Sequence, residues 1–346
     1  MRPYQIGLLA ALGIVAVGGG WYFGTGSTPA EQVAGGQLMF PDLAPRLRDA
    51  VKIEILHQGK QTVIERRPNG GWGIASMHGY PVQNAKLNGL FAGLTELRLT
   101  EPRTTDPAMF ARLGVDDPNA AASTANLLRV LDASGKPILA VIVGHRRVRS
   151  QANAPEDVYV RRPDDNQSWL AEGTLQVDAD ASAWLDRDVI NIGHDRVATV
   201  VAGDHALTFA RVDGKFGLSQ PAEHPKLEDY KIDDVARGLE TLTLQQVRAD
   251  ADSAEALGAE VGHSVFTTDD GLAVTVALFH ADKDVWARFA VSVSSEKVQA
   301  EADRLNARLA GWSYQIGSWK EKALVPTMDD LKAEEPAKPA PDSDKK

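Results

Sequence analysis

The chain has 346 residues, 43% of them hydrophobic and 24% charged, enough for one large domain or two ordinary ones. A net charge of −10 argues against the cationic surface that non-specific nucleic-acid binding or polybasic lipid attachment needs. With no cysteine, disulfides, thiolate metal sites, cysteine nucleophiles and a lipidated cysteine are excluded, so the fold must be held by its core alone.

Ile6 to Phe23 carries no charge and is mostly Leu, Ala, Ile, Val and Gly. At about 1.5 Å per residue these eighteen positions reach roughly 27 Å, the thickness of the hydrocarbon layer. Tyr4 lies at one end and Trp21, Tyr22 and Phe23 at the other, as interfacial aromatics do. Residues 1–24 therefore read as a single membrane anchor, with Arg2 placing the N-terminus in the cytoplasm. A cleaved signal peptide is the competing reading, since Ala16-Val17-Gly18 suits a peptidase. A buried soluble helix is the third reading, against which stands the lack of any amphipathic pattern; the first two place the main domain outside the cytoplasm. Residues 25–50 read as tether and lead-in, being rich in Gly, Ser, Thr and Ala as far as Gly36. Residues 332–346 alternate Pro, Ala, Glu, Asp and Lys and are expected to be disordered.

The part between reads as two copies of one pattern. Val51 to Ile55 alternates as a half-buried strand, and Thr62 to Arg66 gives a second. A Pro68-Asn69-Gly70-Gly71 turn leads into Trp72-Gly73-Ile74. The same order returns in Val197 to Val201, Leu207 to Val212, the turn Asp213-Gly214, and Phe216 to Leu218. Each set is followed by a helical stripe, first Leu87, Leu90, Phe91, Leu94 and Leu97, then Ile232, Val235, Leu239 and Leu242. A short helical turn follows, capped by Asp106 with Pro107 at its first position and stopped at Leu113-Gly114. Its counterpart is expected from Asp252 to Leu257-Gly258.

Landmarks keep a near-constant offset: Trp72 and Phe216 are 144 positions apart, Leu97 and Leu242 are 145, and Trp169 and Tyr314 are 145. Hairpins follow, from Asn126 to Val143 about Gly135 and from Val265 to Phe279 about Gly271. The expected fold is α+β: two tandem repeats of mainly antiparallel sheet with packed helices, residues 51–190 and 191–331, preceded by one transmembrane helix.

The pattern resembles a bacterial family known as domain of unknown function 4340. The residues that carry the likeness are the membrane run, Leu38-Met39-Phe40-Pro41-Asp42-Leu43, the Val51 strand, and Gly71-Trp72-Gly73-Ile74. It continues through Leu113-Gly114-Val115 with Asp117-Pro118, the strand ending at Gly144, Val158-Tyr159-Val160 and Trp184-Leu185-Asp186-Arg187. The second copy departs from it, because Gly258-Ala259-Glu260 lacks the Asp-Pro. The resemblance implies an extracytoplasmic partner of ABC-type transport systems related to gliding-motility auxiliary components, in the bacterial cytoplasmic membrane with its bulk in the periplasm. It brings no catalytic residues to carry over.

No phosphate loop, zinc helix of the H-E-x-x-H type or G-x-S-x-G elbow occurs. The eight histidines are scattered, with His194-Asp195 and His205 the best local metal candidate, and none shows helical ligand spacing. Asp178-Ala179-Asp180 and Asp250-Ala251-Asp252 lack the glycine and distal glutamate of a calcium loop, so Asp180 and Asp252 read as helix caps. The tryptophans read as core or cross-strand packing, with a sugar-binding face as the alternative. Arg146, Arg147 and Arg149, with Arg161 and Arg162 nearby, form the densest basic cluster and a candidate docking patch, weighed against a solvated loop that blunts a sheet edge.

No catalytic, cofactor or metal residue is expected. The leading reading is a non-enzymatic, membrane-anchored accessory protein whose partners are the membrane and an ABC-type transporter component. The alternatives are an envelope glycan- or lipid-binding module with a groove between the repeats, and an envelope hydrolase.

Overall fold

The computed structural model describes residues 36–68, 70–147, 156–203, 206–253 and 257–333. The Ile6–Phe23 segment, most of the 25–50 lead-in before Gly36, and residues 334–346 lie outside the described residues. Among the described residues no helix is long and apolar enough to cross a membrane.

The chain divides into two compact units, the first ending at Leu185 and the second beginning at Asp186. The first unit contains β1 (Gln37–Leu38), β2 (Ala50–His57), β3 (Lys60–Arg66), β4 (Trp72–Ile74), β5 (Tyr80–Pro81) and the helix α1 (Asn84–Glu96). It continues with β6 (Arg98–Pro102), β7 (Asn126–Asp132), β8 (Pro137–Arg147), β9 (Asp157–Arg161) and β10 (Ser168–Glu172). The second contains β11 (Asp188–Ile190), β12 (Val197–Ala202), β13 (Leu207–Val212), β14 (Lys215–Gln220), α2 (Asp229–Ala236) and β15 (Leu242–Ala249). Then come β16 (Glu260–Thr268), β17 (Leu272–Ala281), β18 (Asp284–Val293), α3 (Gln299–Leu309) and β19 (Trp312–Ile316).

Each unit is built on one antiparallel sheet with helices, an α+β architecture that is mostly sheet. The strand order is β1-β6-β10-β9-β8-β7-β2-β3-β4-β5 in the first and β11-β15-β19-β18-β17-β16-β12-β13-β14 in the second. Read from β1 and β11, the two orders place equivalent strands at all nine shared positions, with β5 an addition to the first. Local detail repeats as well. Arg66 lies opposite Trp72 across β3 and β4, and Arg211 opposite Phe216 across β13 and β14. Each guanidinium covers its ring, at 4.7 Å and 5.7 Å from the centroid. Each Nε donates to the carbonyl that opens the neighbouring strand, Ala50 at 3.2 Å and Val197 at 3.3 Å.

The strands alternate as a one-sided sheet requires, with Ile53, Ile55 and Ile64 fully buried in the first unit and Val274, Val276 and Phe209 in the second. Asp106 caps its turn by accepting from the Ala108 N–H, and Gly114 ends the helical turn at φ 68. The second Leu-Gly stop has the same conformation, Gly258 at φ 69.

Several boundaries differ from the sequence reading. The lead-in beyond Gly36 is part of the fold, because β1 joins the sheet and Met39 and Leu43 are buried in the core. β11 pairs with β15, which carries Asp186–Ile190 into the second unit. The second helix stops at Ala236, so Leu239 is buried outside it and Leu242 opens β15. Asp252 is not a cap, since the helical turn Asp250–Ser253 already contains it. Lys332 and Ala333 are held against the second unit, through a bridge to Leu227 and a bond from the Ala333 N–H to the Lys226 carbonyl.

One close approach recurs and sets the surface discussed below. A Cβ on Gly93, in α1, would lie 2.2 Å from the Thr174 carbonyl oxygen. A Cβ on Gly238, just past α2, would lie 3.0 Å from both the Ala323 carbonyl oxygen and the Phe266 ring. These glycines are 145 positions apart. Gly93→Ala is therefore expected to cost about 1–3 kcal/mol through overpacking. Gly89→Ala, on the same helix with nothing within 4 Å of its Cβ, should stabilise by about 0.4–1 kcal/mol. Urea unfolding of both variants, followed by circular dichroism, checks the opposite signs; equal effects would contradict the packing account.

Candidate functional site

In the second unit, α2 buries Ile232, Val235 and Ala236 and turns Tyr230 and Asp234 outward, with Arg237 exposed just past its end. Beyond the sheet, the chain leaves β19 through Gly317 into a short helical turn, Ser318–Lys320, followed by the helix Glu321–Leu324. Between α2 and this segment runs a groove of about 630 Å³, lined also by Asp330 and Leu331.

Lys320 holds the two walls together. Its ammonium donates to the carbonyls of Arg237 at 3.1 Å and Glu240 at 3.0 Å, with Gly238 at 3.5 Å. These carbonyls lie at and just past the C-terminal end of α2, where a cation is favoured. Burial pushes Lys320 below the ordinary lysine pKa, against the opposing pull of Glu240 and Asp234.

Two large rings stand open on the groove. Tyr230 is 59% exposed and Trp319 is 72% exposed, the highest value among the large apolar side chains described. The Trp319 indole rests on Gly317, where a Cβ would come within 2.2–2.5 Å of the ring. Several of the groove's charged groups have local partners. Lys322 pairs with Asp330 at 3.1 Å, Arg237 with Glu240 at 2.9 Å, and Lys231 donates to the Lys332 carbonyl at 2.8 Å. Burial alone would raise the Asp330 carboxyl, but bonds from Thr327 and Lys322 hold it below its usual range. His194 sits beside Glu240 at 3.1 Å and Arg237 at 3.1 Å, and its hydrogen bond is the main reason Glu240 titrates low.

The equivalent groove in the first unit, about 400 Å³, lies between α1 and Gly173–Gln176. It is lined by small residues such as Ala85, Gly89 and Ala92, without an aromatic ring. Its lysine, Lys86, bonds to Asp178 and the Ala183 carbonyl and lies 4.8 Å over the Trp184 ring.

The basic cluster is not assembled as one exposed patch. Arg161 is only 8% exposed, stacks 4.6 Å over Phe110, and donates to the Val115 carbonyl at 3.0 Å and the Asp165 carbonyl at 3.1 Å. Burial is the chief cause of its lowered pKa. Arg162 donates to the Met39 carbonyl at 2.7 Å. Arg146 and Arg147 are exposed on β8, Arg146 lying 3.7 Å from Glu156, and Arg149 falls outside the described residues. Two of the five arginines thus serve the first unit's packing, because chain carbonyls converge on their guanidinium groups.

Trp72, Trp184 and Trp286 are core residues, and Asp180 caps its turn by accepting from the Ser182 N–H. Asp250 instead pairs with Arg288 at 3.1 Å. His205 is outside the described residues, and among those described no group of three histidine or carboxylate side chains could hold a metal. The reading of the tryptophans as core or cross-strand packing does not hold for Trp319, and neither Tyr230 nor Lys320 stood out in the sequence. The signal available was Gly317, two residues ahead of an otherwise polar-flanked tryptophan.

These features define a two-unit α+β protein, mainly antiparallel sheet, with an aromatic surface groove on its second unit. The model described as Domain of unknown function (DUF4340) matches residues 72–260, more than half of the chain, and the protein belongs to that family. The match runs from β4 to the start of β16, so the family pattern spans both units. No curated protein and no solved structure matches the chain.

The low-titrating Glu240 gives a pH dependence. Its folded pKa lies below the unfolded one, so its stabilisation is full above the ordinary value of 4.5 and is lost as pH falls through the folded value. Urea midpoints between about pH 6 and 2 should therefore fall on acidification, and less steeply in Glu240→Gln. Identical slopes would remove Glu240 from the account. Lys320→Met, which removes the ammonium shared by the Arg237, Gly238 and Glu240 carbonyls, is expected to destabilise by about 1–3 kcal/mol by the same measurement.

Proposed function

We propose that the chain is a non-enzymatic accessory protein, anchored by Ile6–Phe23 in the bacterial cytoplasmic membrane. Its two units are displayed in the periplasm, where they serve an ABC-type transport system. The units are read as tandem copies, supported by the shared strand order and by the Arg66–Trp72 and Arg211–Phe216 pairs.

The observation that carries a docking role is the contrast between the two grooves. The first is small and lined without rings, whereas the second presents Tyr230 and Trp319 to solvent. An exposed pair of large rings beside a concave surface is a common mark of an interaction site. One copy is then a scaffold and the other the recognition face. The link to transport rests on the family resemblance, and the anchor on the hydrophobic length of the N-terminal run.

The second reading, a module that binds an envelope glycan or lipid, is favoured by the same groove, now placed within the second unit.

Mild cross-linking followed by affinity purification of the full chain from membranes tests the leading reading. Multi-span membrane proteins should be recovered with the native chain, and recovery should drop about tenfold or more in a Tyr230→Ala, Trp319→Ala double variant. Purification of the chain alone across several detergents would count against the docking role.

A further inference from the structure

We propose that β14 is a docking edge whose occupant is β14 of a second copy of this chain, added antiparallel about a two-fold axis at Gly217. The inference does not depend on the groove.

An unpaired sheet edge invites another strand, and proteins blunt such edges with short strands, proline or a covering segment. The edge strands β1, β5 and β11 follow that rule, with two, two and three residues, and β5 carries Pro81. The fourth edge strand does not. β14 has six residues and no proline, and among the described residues it pairs with β13 alone.

The first unit shows what covers this position in the sister copy. There the carbonyls of Trp72 and Ile74, on β4, accept from the N–H groups of Val82 at 3.1 Å and Gly79 at 2.9 Å. The covering segment passes so close that a Cβ on Gly73 would lie 2.3 Å from the Gly79 carbonyl oxygen. In the second unit Phe216, Gly217 and Leu218 stand in place of Trp72, Gly73 and Ile74, each 144 positions on. Residues 221–226 are exposed throughout, and among the described residues none of them bonds to the β14 backbone. Nothing lies within 4 Å of a Cβ on Gly217. The glycine is present without the crossing segment.

Register and charge select the occupant. Val212 and Lys215 flank the two-residue turn, so Lys215 and Gly217 direct their backbone groups to β13 while Phe216 and Leu218 direct theirs outward. Laid antiparallel on itself about Gly217, the strand sets Phe216 opposite Leu218 of the second copy, and these outward groups exchange main-chain bonds. Apolar then meets apolar on the face that buries Phe216. On the other face Lys215, the one charge of the strand, meets Ser219, and Gly217 meets itself, so no like charges are opposed. A self-complementary contact of this kind closes as a dimer.

The chain has no cysteine, so a single introduced thiol reports the contact. Gly217→Cys falls on the axis, in a pair whose Cα atoms would lie about 4.5 Å apart, within the reach of a disulfide. The full chain in mild detergent, gently oxidised, should give a reducible dimer on electrophoresis. Gly89→Cys, as open on α1, should stay a monomer. Sedimentation velocity of the unmodified chain should show a reversible dimer below about 100 μM. Ser219→Lys, which opposes lysine to Lys215 twice, should weaken it about fivefold or more, and adding Lys215→Glu should restore it.

Failure of Gly217→Cys to dimerise beyond the Gly89→Cys level would overturn the proposal. So would a dimer indifferent to Ser219→Lys, which would place the contact elsewhere, or capture of Gly217→Cys by another envelope protein in preference to itself. The groove's docking role is read separately through Tyr230→Ala, Trp319→Ala, so either can fail alone.

Discussion

The groove on the second unit exists because two stretches of backbone approach at a point where there is no room for a side chain. Gly238 lets the end of α2 reach the Ala323 carbonyl and the Phe266 ring, and Gly93 lets α1 meet the Thr174 carbonyl in the first unit. With no cysteine in the chain, such contacts and the apolar face of each sheet carry the whole cohesion of a unit. The helix position fixes where the groove lies, and Lys320 then ties the helix end to the segment after β19. A lysine whose charge is used in this way is a structural tie.

The two units apply one topology to different ends. Nine strands follow the same order, and an arginine shields an aromatic ring at the same place in each. They diverge at the margins. β5 extends the first sheet with the fully buried Tyr80. In the second, α3 is inserted ahead of β19 and pinned to β18 by Asn306, which bonds both the N–H and the carbonyl of Val291. The grooves diverge further, with small residues and Lys86 closing one while Tyr230 and Trp319 open the other. Divergence concentrated where the helix meets the chain leaving the last strand is what a retained scaffold with one specialised face would show.

Much of the fold could be read from residue order. The strands at Val51, Thr62, Asn126, Val197, Leu207 and Ala273 lie where alternation placed them, because a half-buried strand must repeat every two residues. The Asp106 cap and the Leu-Gly stop at Gly114 were legible because their backbone demands are local. The end of α2 was not, since Leu239 continues the helical period while Gly238 and the positive φ of Thr241 turn the chain away. Nor was the fate of the arginines. Arg161 and Arg146 look alike in sequence, yet one is drawn in by the Val115 carbonyl and by carbonyls of the 162–165 turn while the other stays at the surface.

The sequence by itself determined the antiparallel, helix-decorated character of the chain, its duplicated rhythm and the absence of any covalent staple, because these follow from periodicity, spacing and composition. Only the tertiary structure decided which tryptophan faces solvent, which lysine is already engaged, and that the two grooves differ. Those outcomes depend on contacts between residues such as Lys86 and Asp178, or Gly238 and Ala323, that lie some eighty to ninety positions apart. No local pattern encodes such a contact; it exists once the sheet has closed and the helix has been laid against the segment that leaves it.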